Sequence, residues 1–256
     1  MRGVLGARLM RKVRKVGYLI PIAFLAALAA AAPVSATSVS PIQLEMKSAG
    51  PTSRTQVTIT NTSEGPLPLE ATVKRIELGE NGEQQLSNGD DSFLVFPPQA
   101  MVPPGGTQVF RVQWVGEPQL QASQSFMLSL TQVPVKLPKG QAAVQVVMSF
   151  GVLVNVAPPQ GLSELNLVRT GVAVEGPGKH HPTITVENPT AVHALLQQAT
   201  IKLKGGAWSR TLTPTEIGRN IGTGLVQPGK RRTFTLPVDL PAGVSDVQAS
   251  IDYRPK

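Results

Sequence analysis

Few residues in this 256-residue chain have the type and spacing for chemistry. His180-His181 is a candidate metal pair, but it follows the turn Gly176-Pro177-Gly178-Lys179. No second cluster of Cys, His or carboxylate completes a ligand set, so a solvated loop is favoured and no metal is expected. Gly229-Lys230 lacks the upstream glycines of a phosphate loop and reads as a turn. Lys230-Arg231-Arg232 has no interleaved aromatics, which argues against nucleic acid as a partner. Asn61-Thr62-Ser63 is formally a glycosylation sequon, but a turn at a strand end explains it. The chain has no G-x-S-x-G, no H-E-x-x-H and no cysteine. That leaves no cysteine nucleophile, thiolate site or disulfide framework, and no motif for a serine or metal-dependent hydrolase. The expectation is a protein that is not an enzyme and uses no cofactor.

The formal charge of +8 suggests an acidic partner until its location is read. Six bases (Arg2, Arg8, Arg11, Lys12, Arg14, Lys15) lie in the first 36 residues, which hold no acid. An uncharged run from Val16 to Ala36 follows, densest in apolar residues from Tyr18 to Ala32, and ends in Val34-Ser35-Ala36. A basic end, an apolar middle and a small-residue exit make a signal peptide over residues 1–36, cleaved after Ala36. The apolar run is short of the ~20 residues a membrane span needs. The remainder is nearly neutral, with 18 bases against 16 acids. Export without membrane insertion is expected.

The elements that must position any site are short alternating runs. Gln56 to Thr60, Leu67 to Ile76, Thr107 to Trp114 and Gln124 to Val133 all have period two. Turn clusters such as Glu80-Asn81-Gly82 and Pro103-Pro104-Gly105-Gly106 separate them. This pattern predicts an antiparallel sandwich. A second block repeats it: Thr183 to Glu187, Leu195 to Lys204, Trp208 to Thr213, Arg232 to Leu236 and Val247 to Tyr253. No long stretch has a helical period; Ala191 to Thr200 comes nearest and reads equally well as strand. The join is Ala157-Pro158-Pro159-Gln160-Gly161, stiffened by its prolines. The fold class expected is all-β, two tandem immunoglobulin-like sandwiches over residues 37–157 and 158–256.

One segment is too long for such a sandwich. Ala142 to Ala157 runs for 16 residues, against a usual strand of ~5–6. Its even positions, Val144, Val146, Met148, Phe150, Val152, Val154 and Val156, are apolar without a break. The second half reads as ordinary core. The first half reads as a strand that outruns its own sheet, and such an edge invites another chain to add a strand.

With that strand in place the chain resembles the periplasmic chaperones of chaperone–usher pilus assembly, the PapD-like family. The resemblance is carried by an ordered series. It runs through Thr58-Ile59-Thr60-Asn61, Phe96-Pro97-Pro98, Val102 to Val112, Leu128 to Pro134, the long strand into Ala157-Pro158, Val186-Glu187-Asn188-Pro189-Thr190 and Ile251-Asp252-Tyr253. It implies an L- or boomerang-shaped pair of sandwiches in the periplasm. It implies partners as well: pilin or fimbrial subunits, bound by donor-strand complementation, and an outer-membrane usher. Matched position by position, the donor residues are Val144, Val146 and Met148, with Phe150 next in line. The open row also gives the free chain a route to a self-capping dimer.

The chain departs from the family where the family keeps two bases that hold a subunit's C-terminal carboxylate. Those positions are Glu45 and Leu153, and a short slip offers only Lys47 for the first. This points to an outlying branch, near the archaic, spore-coat-like systems. Of the family's interdomain ion network, Arg111 and Asp252 match two members, while Gln132 and Ala157 replace two others. An Arg111–Asp252 pair fixing the interdomain angle is one expectation; two unrelated surface charges is the other. The rival reading of the whole chain is a secreted structural or adhesive protein, a fibre component or carbohydrate-binding module.

Overall fold

Alternating runs become strands along the chain in the computed structural model, which describes residues 37–134, 146–176 and 178–255. The leader expected over residues 1–36 and the donor position Val144 lie outside the described residues. Ten strands come first: β1 (Ser38–Ser40), β2 (Gln43–Lys47), β3 (Arg54–Thr60), β4 (Leu67–Leu78), β5 (Gln84–Asn88), β6 (Phe93–Phe96), β7 (Gln99–Val102), β8 (Thr107–Trp114), β9 (Gln124–Gln132) and β10 (Ser149–Ala157). They form two facing sheets. One has the order β1-β3-β8-β6; the other is β2-β10-β9-β4-β5, with β7 added beside β4.

Period-two alternation explains the core between them, since every second side chain points inward. Val57 and Ile59, Phe110 and Val112, Phe126, Leu128 and Leu130, and Val152, Val154 and Val156 are all fully buried. At one end Phe93 meets Trp114 and Phe126 edge-on, with ring centroids 5.2 and 4.9 Å apart. Edge-to-face contacts of this kind add to simple area burial.

A second set follows: β11 (Asn166–Val174), β12 (His180–Glu187), β13 (Ala194–Leu195), β14 (Ala199–Gly205), β15 (Trp208–Leu212), β16 (Leu225–Val226), β17 (Arg231–Thr235) and β18 (Gln248–Tyr253). Its sheets are β11-β12-β17 and β15-β14-β18, with a small β13-β16 pair. Ile184, Val186, Leu196, Ile201, Leu203 and Leu212 fill a separate core. The architecture is all-β and tandem, as expected.

Three local readings change. Leu195 to Lys204 is not one strand: a 3-10 turn at Leu196–Gln198 divides β13 from β14. A helix, α1 (Pro214–Asn220), was not expected. Thr213 caps it: its hydroxyl accepts from Glu216 N, and the Glu216 carboxylate accepts from Thr213 N. This Thr-x-x-Glu box with proline at the first helical position was the legible signal. His180-His181 lies not in a loop but on the first rungs of β12, where His181 reaches Glu175 and Asp239 at 3.3 and 3.5 Å. Among the described residues no group of three His, Cys, Asp or Glu could hold a metal ion.

Both sandwiches close a strand end with the same device. Asn61 follows β3 and donates to the carbonyls of Gly65 and Val102 at 2.9 and 3.0 Å, while its Oδ1 accepts from Ser63 N and Oγ. Asn188 follows β12, donates to Val192 O and Val226 O at 2.8 and 3.1 Å, and accepts from Thr190 N and Oγ1. Both amides are fully buried, which takes the Asn61 sequon out of reach of a glycan. Losing either orphans several buried groups at about 1–3 kcal/mol each. Asn61→Ala and Asn188→Ala should each lower unfolding free energy by about 2–4 kcal/mol, measured by urea denaturation.

Candidate functional site

The apolar row of β10 changes environment along its length. Val156, Val154 and Val152 belong wholly to the first core. Phe150 and Met148 are half-buried and pack against that core from its rim. Val146 is 73% exposed. Of the donor positions expected from the sequence, Val146 is therefore open to a partner, whereas Met148 and Phe150 are already half-engaged.

The ladder explains the gradient. β10 pairs antiparallel with β9 along Ser149 to Val156, and Gln132 N still donates to Met148 O at 2.8 Å. On its other side β2 runs parallel and covers only Leu153 to Ala157. Ser149 to Val152 thus have no strand on that side among the described residues. The 16-residue strand expected from the sequence is a nine-residue strand with residues 146–148 continuing beyond it. Residues 142–145 lie outside the described ones.

Where β2 meets β10 the chain builds a polar ladder across three strands. The Ser125 hydroxyl donates to Asn155 Oδ1 at 2.8 Å, and Asn155 Nδ2 donates to Glu45 Oε1 at 2.9 Å. Ser125 and Asn155 are fully buried. Gln43 Nε2 adds a bond to the same carboxylate oxygen at 2.7 Å. The other Glu45 oxygen meets His193 Nε2 at 2.6 Å. His193 comes from the second sandwich and is only 6% exposed. Its Nδ1 lies 3.1 Å from Ser123 Oγ, which also accepts from His193 N at 3.0 Å. The second sandwich thus inserts an imidazole between two groups of the first. Partial burial works to raise the Glu45 pKa. The hydrogen bond and charge of His193, with the amides of Asn155 and Gln43, outweigh it and hold the carboxyl below its ordinary value.

A cavity of about 360 Å³ opens beside this ladder, lined by Glu45, Lys47, Ala157, Ser163, His193 and Gln198. Tyr253 stands behind it, its hydroxyl 2.7 Å from Ser163 Oγ and donating to Gln198 Oε1 at 3.1 Å. Burial pushes that phenol's pKa up.

A second tie joins the sandwiches. β4 continues past the start of β9, which would leave main-chain groups of Ile76 and Leu78 unpaired. The buried Gln227 amide takes the place of a strand there: its Nε2 donates to Ile76 O and its Oε1 accepts from Leu78 N, both at 2.8 Å. Thr233 N donates to Glu80 O at 2.7 Å alongside.

The Arg111–Asp252 pair does not form. Asp252, on the outward face of β18, binds Arg254 two residues on at 2.9 Å. Arg111 points outward from β8, opposite Gln56 of β3. Glu45, Asn155, His193 and Gln227 hold the interface instead. His193 was the residue that sequence reasoning missed. Its only signal was a single polar side chain in the apolar run Ala191-Val192-His193-Ala194-Leu195-Leu196.

Residues 38–161 match the model of the pili and flagellar-assembly chaperone, PapD N-terminal domain. That stretch is PapD-like. Solved structures agree on the fold. The class 5 fimbriae chaperone CfaA is 14% identical, with 86% of this chain and 99% of that one covered and a TM-score of 0.51. A chaperone–tip adhesin complex of CFA/I fimbriae gives 13%, the same coverages and 0.50. The chaperone YadV gives 13%, with 83% and 90% covered and 0.50. No curated protein sequence matches this chain.

The depressed Glu45 pKa sets a sign. The ionised carboxylate is the form the fold favours, so its contribution is complete above the ordinary value of 4.5 and is lost as pH falls through the lower folded value. Because the side chain is 43% exposed, the effect should be about 1 kcal/mol or less. Glu45→Gln should flatten the acid limb of a stability–pH profile read by thermal unfolding. His193→Ala removes a buried ring and both its bonds, and should cost about 2–3 kcal/mol at neutral pH.

Proposed function

We propose that this protein is a periplasmic chaperone that holds fimbrial or pilus subunits by donor-strand complementation and passes them to an outer-membrane usher. The observation that carries the reading is the open flank of β10. There an apolar row runs out of the protein's own core through Phe150 and Met148 to exposed Val146, beside a stretch of backbone that has no strand on one side among the described residues. A subunit lacking a strand would gain main-chain bonds along Ser149 to Val152 and fill its groove with Val144, Val146 and Met148. The family match over residues 38–161 supports the chaperone role. The CFA/I relative, a chaperone–tip adhesin complex, supports a fimbrial subunit as client.

The cleft is held differently from the two-base pattern of the resemblance. Glu45 is committed to His193 and Asn155, and Leu153 is apolar. Lys47 is the cation lining the adjoining cavity. It is the group we assign to a client's terminal carboxylate, as a single-point contact. The exposed row also supports a self-capping dimer of the free protein.

Val146→Asp should leave the melting temperature unchanged, because the side chain is mostly in solvent. It should cut recovery of a co-expressed pilin in periplasmic pull-downs at least about tenfold, since a charge is placed in an apolar groove. Met148→Asp should cost both capture and stability, because Met148 also packs on the protein's own core. Undiminished capture by Val146→Asp would overturn the donor-strand reading. Lys47→Glu should weaken capture by several-fold with no change in melting temperature.

A further inference from the structure

The outer face of the sheet β1-β3-β8-β6 lies on the opposite side of the first sandwich from β10 and takes no part in the function proposed above. None of its four strands contains an aspartate or a glutamate. Two arginines project from it. Arg54 of β3 stands opposite Gln113 of β8, and Arg111 of β8 stands opposite Gln56 of β3. They are diagonal neighbours on one face, roughly 7–8 Å apart for such pairs and within reach of long side chains. A shallow depression lies between them, lined by Arg54, Gln56, Arg111 and Gln113. Arg75, Arg169, Arg210, Arg231 and Arg254 each have a carboxylate partner. Arg54 and Arg111 have none among the described residues, and both are exposed.

Beside them lies an apolar margin. In β6 the outward residues are Leu94 and Phe96, which are 55% and 62% exposed. Leu94 is opposite Gln113, and Phe96 is opposite Arg111. β6 also ends the sheet, so its far edge has no partner strand among the described residues. Two like charges without counter-charge, two exposed large apolar side chains and an open edge thus meet on one face. Natural sheets usually blunt such an edge with charge or proline.

We propose that this face docks an extended, acidic segment of a partner protein. Its carboxylates lie on Arg54 and Arg111, and an apolar side chain lies on Leu94 and Phe96. Paired guanidinium groups suit carboxylates because they bind them as a fork. A bilayer fits less well, since recognition of anionic lipid takes clusters of 4–8 bases. This proposal does not rest on the donor-strand reading, since the two surfaces are on different sheets.

The test uses the full exported chain, labelled for amide and arginine NMR. The probe is a hexapeptide alternating aspartate or glutamate with isoleucine, valine or leucine. Its controls are the same peptide with lysine for each acid, and phosphatidylglycerol vesicles. Shifts confined to residues 94–96, 111–113 and the Arg54 side chain are expected with the acidic peptide, weakening as salt is added. Arg54→Glu with Arg111→Glu should weaken binding by roughly tenfold, the worth of two exposed ion pairs. Phe96→Ser should weaken it several-fold while both arginines stay. Melting temperatures should not move, because all three side chains are exposed. The proposal is overturned if the acidic peptide leaves this face unshifted, or if the lysine peptide binds as well. Undiminished binding by the double charge reversal, or shifts with vesicles alone, would overturn it too.

Discussion

A carboxylate set between two sandwiches must be matched or it drives them apart. Glu45 is matched on both oxygens, by Asn155 and Gln43 on one and by His193 on the other. Through Asn155 the match extends to Ser125, so three strands of one sheet share a single polar chain. Through His193 it extends to the second sandwich and returns to the first at Ser123. Each buried member has a partner, the condition under which such a network specifies one arrangement instead of costing stability. The Gln227 amide meets the same condition at the other end of the interface. There a side chain stands in for a missing strand.

These two ties decide what β10 is free to do. One end of the strand is locked by β2 on one side and β9 on the other, with Asn155 buried between them. The other end has β9 alone among the described residues. Burial along the row follows this change, from Val156 to Val146. A strand pinned so firmly at one end can present its other end in a fixed direction, which lowers the ordering cost of any partner that pairs with it. The tie at Glu45 also explains why an acid is acceptable where the resemblance leads one to expect a base. The carboxylate serves the protein's own interface.

Most of the sheet framework could be read from alternation, because a strand with one buried face writes its period into the sequence. Thr107 to Trp114 is a strand with those very ends. Short edge strands escaped: β5, Gln84–Asn88, has no buried face and hence no pattern. The helix α1 escaped because seven residues are too few to show a helical period. The donor row was visible as composition, but not the point at which it leaves the core, since that depends on where β2 begins to cover it. The interface was the least legible part. Arg111 and Asp252 have the charges for a pair and lack the geometry, whereas Glu45 and His193 lie 148 residues apart and only the fold brings them together.

The parallel pairing of β2 with β10 has a consequence in time. Glu45 and Asn155 are 110 residues apart in the chain, so β2 lacks the strand it pairs with until almost the whole first sandwich has been made. Contacts of such long range form slowly, because the loop between them must close first. A chain emerging from one end would carry β2 without its partner strand until the 110 residues that follow Lys47, through Ala157, had been made or transported. The first sandwich can be completed only once Ala157 has followed, and the imidazole that seals its polar ladder arrives later still.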